Sequence, residues 1–390
     1  MNPSTDTLHE LLERLERELP AAVALRRRLH AAPELAYEEH ATAAAIIDAL
    51  ESEVTRAART GVIARAGGTG PAVALRAELD GLPVKELTGV EFASANGSMH
   101  ACGHDVHAAA LVALLRAGRA LGDRLPAPMM GVFQPSEEAY PSGAQLLIRE
   151  GHLNGDAVRA FVGAHLQPEL PWGSLSVAAG PINAGCDNID VLIEGESAHG
   201  AYPQLGRDPI LAISATITGL HTLVGRRVDP LHPAVLTVGE LHAGTTANVI
   251  PPRARASLTL RSYVPADRET LRAAIRELVE STARAHGCRG SIEITEGEPV
   301  LDNDPQISAH AEALAPHAGF AIAPAWRSCG SDDFAFFGQL APTAMAFAGL
   351  AGAPGFAGQP LHHPEFLPPD EAVRTVARAQ AVLYLAAASR

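Results

Sequence analysis

NIDVLIEG (residues 188–195), AVLTVGELHAG (234–244), RASLTLRSYV (255–264) and SIEIT (291–295) are four short runs in which apolar residues recur at every second position or nearly so. Ile189, Val191 and Ile193 alternate with polar neighbours, which suits a strand with one face covered and one face wet. Helical spacing fills the gaps from Pro209 to about Val224 and from Asp267 to His286. The resulting order, βαββαβ, is that of a split ferredoxin-like unit.

Outward from this unit the rhythm differs. Upstream, the apolar runs GVIARA (61–66), AVALRAELD (72–80), MMGVFQPSEE (129–138) and AFVGAHL (160–166) alternate with helical stretches at about 105–121 and at GAQLLIREG (143–151). Alternation of this kind predicts an α/β domain with a largely parallel sheet. Before it, Leu8, Leu11, Leu12, Leu15 and Leu19 form a helical stripe, Pro20 permits a restart, and a second helix runs from about Glu38 to Leu50. From about Pro299 mixed helix and strand return. The chain therefore reads as an α/β domain in two parts, 1–183 and 297–390, interrupted by a small inserted domain, 184–296.

Composition sets the outer bounds. The 390 residues are 47% hydrophobic, too apolar for a disordered chain, and long enough for two or three domains. Thirty basic against 44 acidic side chains give a net charge of −14, which argues against a nucleic-acid partner. No apolar run reaches the roughly 18 residues of a membrane span, and the polar first residues are unlike a signal peptide. Four scattered cysteines, at 102, 186, 288 and 329, do not form a disulfide framework. A cytoplasmic protein is expected. Its 17 histidines are a surplus that asks for a reason.

Four places could carry chemistry. MHACGHDVH (99–107) sets His100, Cys102, His104 and His107 within eight residues, and the glycine allows a turn on which Cys102 and His104 converge. The same segment also reads as a helix start capped by Asp105, with solvated histidines. QPSEE (134–138) puts Glu137 and Glu138 just past an apolar run, where one carboxylate can bind a cation while the other faces a water, or where both simply open a helix. His165 ends AFVGAHL, and His362 and His363 lie on a late Pro-rich loop. Each could be structural by itself. Together, Cys, His and carboxylate ligands on one α/β domain suffice for two metal ions, of the zinc, manganese, cobalt or nickel type rather than calcium, and the thiolate favours zinc. The arginines at 26–28 read as a solvated patch.

MHACGHDVHAAAL (99–111), FQPSEE (133–138), GAHLQPELPWGSLSV (163–177), AHGAYPQLGRDP (198–209), GTTANVIP (244–251), SDDFAFF (331–337) and LHHPEF (361–366) stand in the order seen in the dinuclear metal-dependent amidohydrolases. The chain resembles the branch containing hippurate hydrolase, N-acyl-L-amino-acid amidohydrolases and plant auxin–amino-acid conjugate hydrolases, related to aminoacylase and glutamate carboxypeptidase. The resemblance begins at RRLHAAPELAYEE (27–39) and spans nearly the whole chain.

The resemblance implies that Cys102, His104, Glu138, His165 and His362 hold two divalent ions, zinc or manganese first and cobalt or nickel next, with Cys102 shared. It implies Glu137 as general base, Asp80 as the acid orienting the metal site, and His199 as a histidine that a partner subunit extends into the active site. Asn248 and Arg261 match substrate-binding positions. His362 is preferred to His363 because the family ligand stands two residues before the proline. The inserted unit becomes a lid that also makes a homodimer or higher homo-oligomer. Departures include Glu78 where aspartate is usual, GESAHG before the lid histidine, SDDF for SEDF, and AYPSGA after Glu138, where Tyr140 and Pro141 would reshape the acyl pocket.

The implied reaction is hydrolysis of N-acyl-L-amino acids to a carboxylic acid and a free amino acid, or dipeptidase or carboxypeptidase action of the same family. Two rivals are a Cys102 nucleophile with a histidine base and an inactive metal- or carboxylate-binding protein. The first leaves the glutamate pair and the distant histidines without roles, and the retained Glu137 speaks against the second.

Overall fold

The computed structural model describes residues 3–154 and 157–390. By its internal contacts the chain divides into two compact units. The larger holds the chain up to Gly180, Asp302–Trp326 and Asp333–Arg390, and the smaller holds Pro181–Leu301 with Arg327–Asp332. The sequence puts the joints at 183/184 and 296/297, and it does not foresee that six residues near 330 rejoin the smaller unit.

In chain order the larger unit begins with α1 (Pro3–Ala31), α2 (His40–Leu50), β1 (Val54–Ala57), β2 (Gly61–Ala66), β3 (Ala72–Glu78), α3 (His104–Leu121), β4 (Met129–Gln134), α4 (Gly143–Arg149), β5 (Val158–Pro171) and β6 (Ser174–Ser176). The short β7 (Gly180–Asn183) opens the smaller unit. That unit contains β8 (Gly185–Glu194), β9 (Ala198–His199), α5 (Pro209–Arg227), β10 (Ala234–Ala243), β11 (Val249–Ile250), β12 (Arg253–Ser262), α6 (Pro265–Ala285) and β13 (Arg289–Glu296). After β14 (Leu301–Asn303) come α7 (Pro305–Leu314), β15 (Ala321–Ile322), β16 (Thr343–Ala351) and α8 (Glu371–Ala388).

The eight strands of the larger unit lie in the order β1-β2-β4-β3-β5-β16-β6-β15. Only the centre, β4-β3-β5-β16, is continuously parallel, while β1–β2, β2–β4 and β16–β6 are antiparallel. The expectation of a largely parallel sheet thus holds for the middle and for the outer pair β6–β15 and fails at β1–β2, β2–β4 and β16–β6; a short turn such as that between β1 and β2 permits only an antiparallel neighbour. β3 and β4 are buried along their whole length, as strands covered on both faces must be.

Helix α3 packs on β2, β3 and β4, and α8 on β3, β5 and β16, with α1 laid across both helices. Both covering helices are alanine-rich and buried almost all round, so small side chains let them approach the sheet closely. Leu111 and Leu114 of α3 are fully buried, and truncating either to alanine should cost about 2–5 kcal/mol. Helix α1 runs unbroken through Pro20, with no restart. Pro20 sits on its exposed side, where water can meet the carbonyl that loses its donor.

In the smaller unit four antiparallel strands lie in the order β10-β12-β8-β13. Taken in chain order these are strands 2-3-1-4, the arrangement a ferredoxin-like unit requires. Ile189, Val191 and Ile193 meet Ile213 and Leu220 of α5 and Leu271 and Ile275 of α6 in a core of their own. Asp208 caps α5 by accepting from Ile210 N at 2.8 Å, with Pro209 at the first helical position.

Candidate metal centre

The C-terminal ends of the parallel strands are where an α/β sheet gathers its reactive side chains. Asp80 follows β3, Glu137 and Glu138 follow β4, His165 lies on β5, and His362 lies on the loop after β16. Cys102 and His104 flank Gly103, which caps α3 with φ +86°, a conformation other residues adopt only at a cost. The tight turn sets the thiol and the imidazole into one pocket. His362 has φ +65° and its amide donates to Ala101 O at 2.8 Å, which ties the late loop to the same turn.

Cys102 Sγ stands 3.5 Å from His165 Nε2, and His362 Nε2 stands 3.2 Å from Glu138 Oε1. His104 Nε2 faces Glu137 Oε2 at 3.8 Å and Glu138 Oε1 at 3.9 Å. Ligand atoms of Cys102, His104 and His165 lie within 4.8 Å of one another, and so do those of Cys102, Glu138 and His362. Cys102 belongs to both groups. His104, Glu137 and Glu138 form a third.

The imidazoles are oriented by acceptors that can only accept. His104 Nδ1 is 2.9 Å from Asp80 O, and His165 Nδ1 is 2.7 Å from Leu166 O. A carbonyl requires the proton on Nδ1, so Nε2 is the nitrogen each ring turns to the cluster, where it offers a lone pair once the ring is neutral. Asp80 Oδ2 also accepts from Glu138 N at 2.9 Å, so one residue fixes both a histidine and a glutamate.

The donor set fits a cation. Among the described residues, His104 Nε2, Asp80 Oδ1 and Glu138 Oε1 are buried without a hydrogen-bond partner, the last lacking an aligned donor although His362 is near. Buried polar atoms are rarely left so. Burial, together with the carboxylates of Glu138, Glu137 and Glu78, pushes the Cys102 thiol well above its ordinary range. Burial opposes a charge on His104, but its hydrogen bond to Asp80 and the surrounding acids win and raise it to about 10. Burial and neighbouring His107 push His165 down to about 3, leaving it neutral. The pocket is an anionic hole that takes up positive charge, with soft and borderline ligands suited to zinc-like ions.

Other candidates fall elsewhere. His107 is occupied at both nitrogens, Nδ1 by Glu78 Oε2 at 2.9 Å and Nε2 by the amide of Leu166 at 3.1 Å, so it braces the site. His100 is buried and enters none of these groups. His363 Nδ1 accepts from Glu365 N at 3.2 Å, whereas its neighbour His362 meets Glu138. Asp105 does not cap α3 beside solvated histidines, and Arg26 is not part of a solvated patch. Each is buried, and Arg26 Nε donates to Asp105 Oδ2 at 2.8 Å, because helix α1 lies over the start of α3 and its charge must be matched there.

His199, Asn248 and Arg261 belong to the smaller unit. His199 on β9 is exposed and pairs with Val249 of β11, its Nδ1 accepting from Ala201 N at 3.1 Å. Asn248 O accepts from Gly200 N at 2.7 Å, so these two residues share one ribbon. Arg261 on β12 donates to Cys329 O at 3.1 Å and lies 3.4 Å from Ser331 Oγ. Reading the sequence assigned no role to the buried acids Glu39 and Asp333, although ELAYEE and SDDFAFF display them.

A model of peptidase family M20/M25/M40 matches residues 74–385. The chain is 36% identical over 362 residues to N-acetyl-L-cysteine deacetylase of Bacillus subtilis, covering 91% of this chain and 84% of that protein. It is also 36% identical over 304 residues to N-acyl-L-amino acid amidohydrolase of Geobacillus stearothermophilus, covering 76% and 82%. The crystal structure of a dinuclear metal-binding M20 peptidase of Bacillus subtilis superposes with a TM-score of 0.82 at 31% identity, covering 95% of this chain and 98% of that one.

Proposed function

The chain belongs to peptidase family M20/M25/M40, and on that premise we propose that it is a metal-dependent amidohydrolase cleaving the amide bond of N-acyl-L-amino acids. The observation that carries the reading is the cluster of converging ligand atoms, two of them, His104 Nε2 and Glu138 Oε1, buried without hydrogen-bond partners, with Glu137 beside it. Cys102, His104, Glu138, His165 and His362 would hold two divalent ions, with Cys102 common to both. Such ions, when bound, supply Lewis acidity toward the amide carbonyl and acidify the attacking water.

The chain's own residues do the rest. Asp80 and the Leu166 carbonyl fix the histidine tautomers so that no ligand must reorient. Glu137 takes the proton of the attacking water and passes it to the leaving amine nitrogen, which departs as the free amino acid. His199 of a partner subunit would stabilise the developing oxyanion, and Asn248 and Arg261 would hold the substrate carboxylate through charge-assisted hydrogen bonds. Homodimerisation through the smaller unit is supported by its own surface: Leu205, Leu211 and Leu241 are at least half exposed, and β10 is an edge strand. Among the described residues no helix is long and apolar enough to cross a membrane. The thiolate ligand favours zinc, with manganese next.

The test is a panel of N-acyl amino acids and dipeptides offered to metal-free protein reloaded separately with zinc, manganese, cobalt or nickel. Release of free amino acid from N-acyl substrates, restored by zinc or manganese, is expected. Chelator-insensitive turnover would shift the reading to a Cys102 nucleophile, and no turnover with any metal would leave only a binding protein.

A further inference from the structure

The glutamate pair sits on an irregular loop, residues 135–142, between β4 and α4. Loops drift unless something over-determines them. Here three buried carboxylates surround the loop, and two of them have no part in the chemistry proposed above. Asp333 is 2% exposed and lies at both ends of the loop. At the entrance Gln134 Nε2 donates to both of its oxygens at 2.8 Å. At the exit Ser142 Oγ donates at 2.7 Å and Ala144 N at 3.3 Å. Arg76 of β3 donates to it at 2.8 Å and places a buried guanidinium beside the carboxyl group.

Glu39, fully buried at the start of α2, takes the middle of the loop. Its Oε1 accepts from Ser136 N at 2.9 Å, and its Oε2 from Thr60 Oγ1 at 2.6 Å. Ser136 has φ +49°, a left-handed conformation that a serine adopts at a cost and keeps only where its surroundings hold it. Asp80 then accepts from Glu138 N. The loop closes on itself as Gly143 N donates to Ser136 O at 3.0 Å, so closely that a Cβ on Gly143 would stand 1.7 Å from Pro135 O.

We infer that Glu39 and Asp333 are positioning residues for amide hydrolysis: they clamp the 135–142 loop so that Glu137 and Glu138 stand at their working places. The inference rests on the reading of Glu137 as base and Glu138 as ligand. Neither acid needs to touch the substrate. Glu39 acts through the backbone of the loop and Asp333 through its ends, with an Asp333 oxygen also within 4.8 Å of one of Glu137, and a displacement of about 1 Å at a base is enough to lower turnover about 100-fold.

The test uses the full-length, metal-loaded protein with an N-acyl amino acid that the wild type hydrolyses, comparing Asp333→Asn, Glu39→Ala and Glu39→Gln. Asp333→Asn replaces one of the two acceptor oxygens that face four donors with a donor. Glu39→Ala removes the acceptor for Ser136 N, whereas Glu39→Gln keeps one. In Asp333→Asn and Glu39→Ala, kcat should fall about 100-fold while KM stays within about threefold and metal content is unchanged. Amide hydrogen exchange, followed in the metal-free proteins, should speed up about tenfold in 135–143 and stay unchanged in α3. Glu39→Gln should recover most of the lost kcat and of the lost protection. Wild-type kcat with wild-type loop exchange in Glu39→Ala would overturn the inference, and so would Glu39→Gln no better than alanine. If Asp333→Asn does not fold, the Glu39 pair decides alone. Wild-type turnover in Glu137→Gln would instead remove the reading of the site, while the exchange data would still report on the clamp.

Discussion

His104 and Asp105 are neighbours in sequence, and they enter two different buried polar clusters. Around Asp105 the charges are matched: Arg26 donates to it at 2.8 Å and His30 Nδ1 lies 2.9 Å away, while His30 Nε2 meets Glu86 at 3.1 Å and Arg26 reaches Asp370 at 3.2 Å. Around His104, acids and a thiol crowd together, and two ligand atoms, His104 Nε2 and Glu138 Oε1, face each other at 3.9 Å without hydrogen-bond partners. The first cluster balances its charges within the chain, although Asp105 Oδ1 also lacks a hydrogen-bond partner. The second needs a positive charge the chain does not supply. A matched buried cluster holds a fold together, and an unmatched one marks a site.

Two substitutions should separate these roles. Glu137→Gln removes the base from the unmatched cluster and leaves its ligands. Turnover should drop by about 10²–10⁴-fold, with metal content and urea midpoint close to wild type. Retained turnover would remove Glu137 from its assigned role. Asp105→Asn acts on the matched cluster and should do the reverse. It leaves the buried Arg26 and a protonated His30 without their shared counter-ion, at a cost of about 3–5 kcal/mol in urea unfolding. A variant of wild-type stability that had lost its metals would show that the two clusters are one.

The comparison also explains what the sequence could display. Cys102, His104, Glu138, His165 and His362 stand in short motifs next to glycine, proline or the ends of apolar runs, so local pattern pointed to them. The βαββαβ order was legible for the same reason, since period 2 and period 3.6 alternate cleanly between 188 and 295. Arg26 was misread because a run of three arginines looks solvated. Only the crossing of α1 over α3, a contact 79 residues apart in the chain, buries the first of them while Arg27 stays half exposed. Glu39 and Asp333 were visible as letters but not as a clamp. Their partners, Ser136 at 97 positions and Gln134 at 199, are set by sheet topology, which spacing does not encode. The antiparallel flanks of the sheet were lost likewise, because a strand's direction depends on its neighbours.

The smallest expected effect is a pH dependence that belongs to the matched cluster. Burial alone would lower the affinity of His30 for its proton, but the Asp105 charge and the hydrogen bonds to Asp105 and Glu86 outweigh it and raise His30 to about 9. An unfolded histidine titrates near 6.5, so the folded state binds this proton more tightly. The stabilisation is therefore fully present below about pH 6.5 and is lost as the pH rises through about 9. The difference corresponds to about 3 kcal/mol. In metal-loaded protein, where the other cluster is filled, the urea unfolding free energy of wild type should fall by about that amount between pH 6 and pH 10. His30→Gln should be less stable at pH 6 and should lack this limb of the curve, so that the two proteins converge at high pH. Parallel curves across the range would mean that His30 is neutral in the fold, and the Arg26–Asp105 pair alone would then carry the cluster.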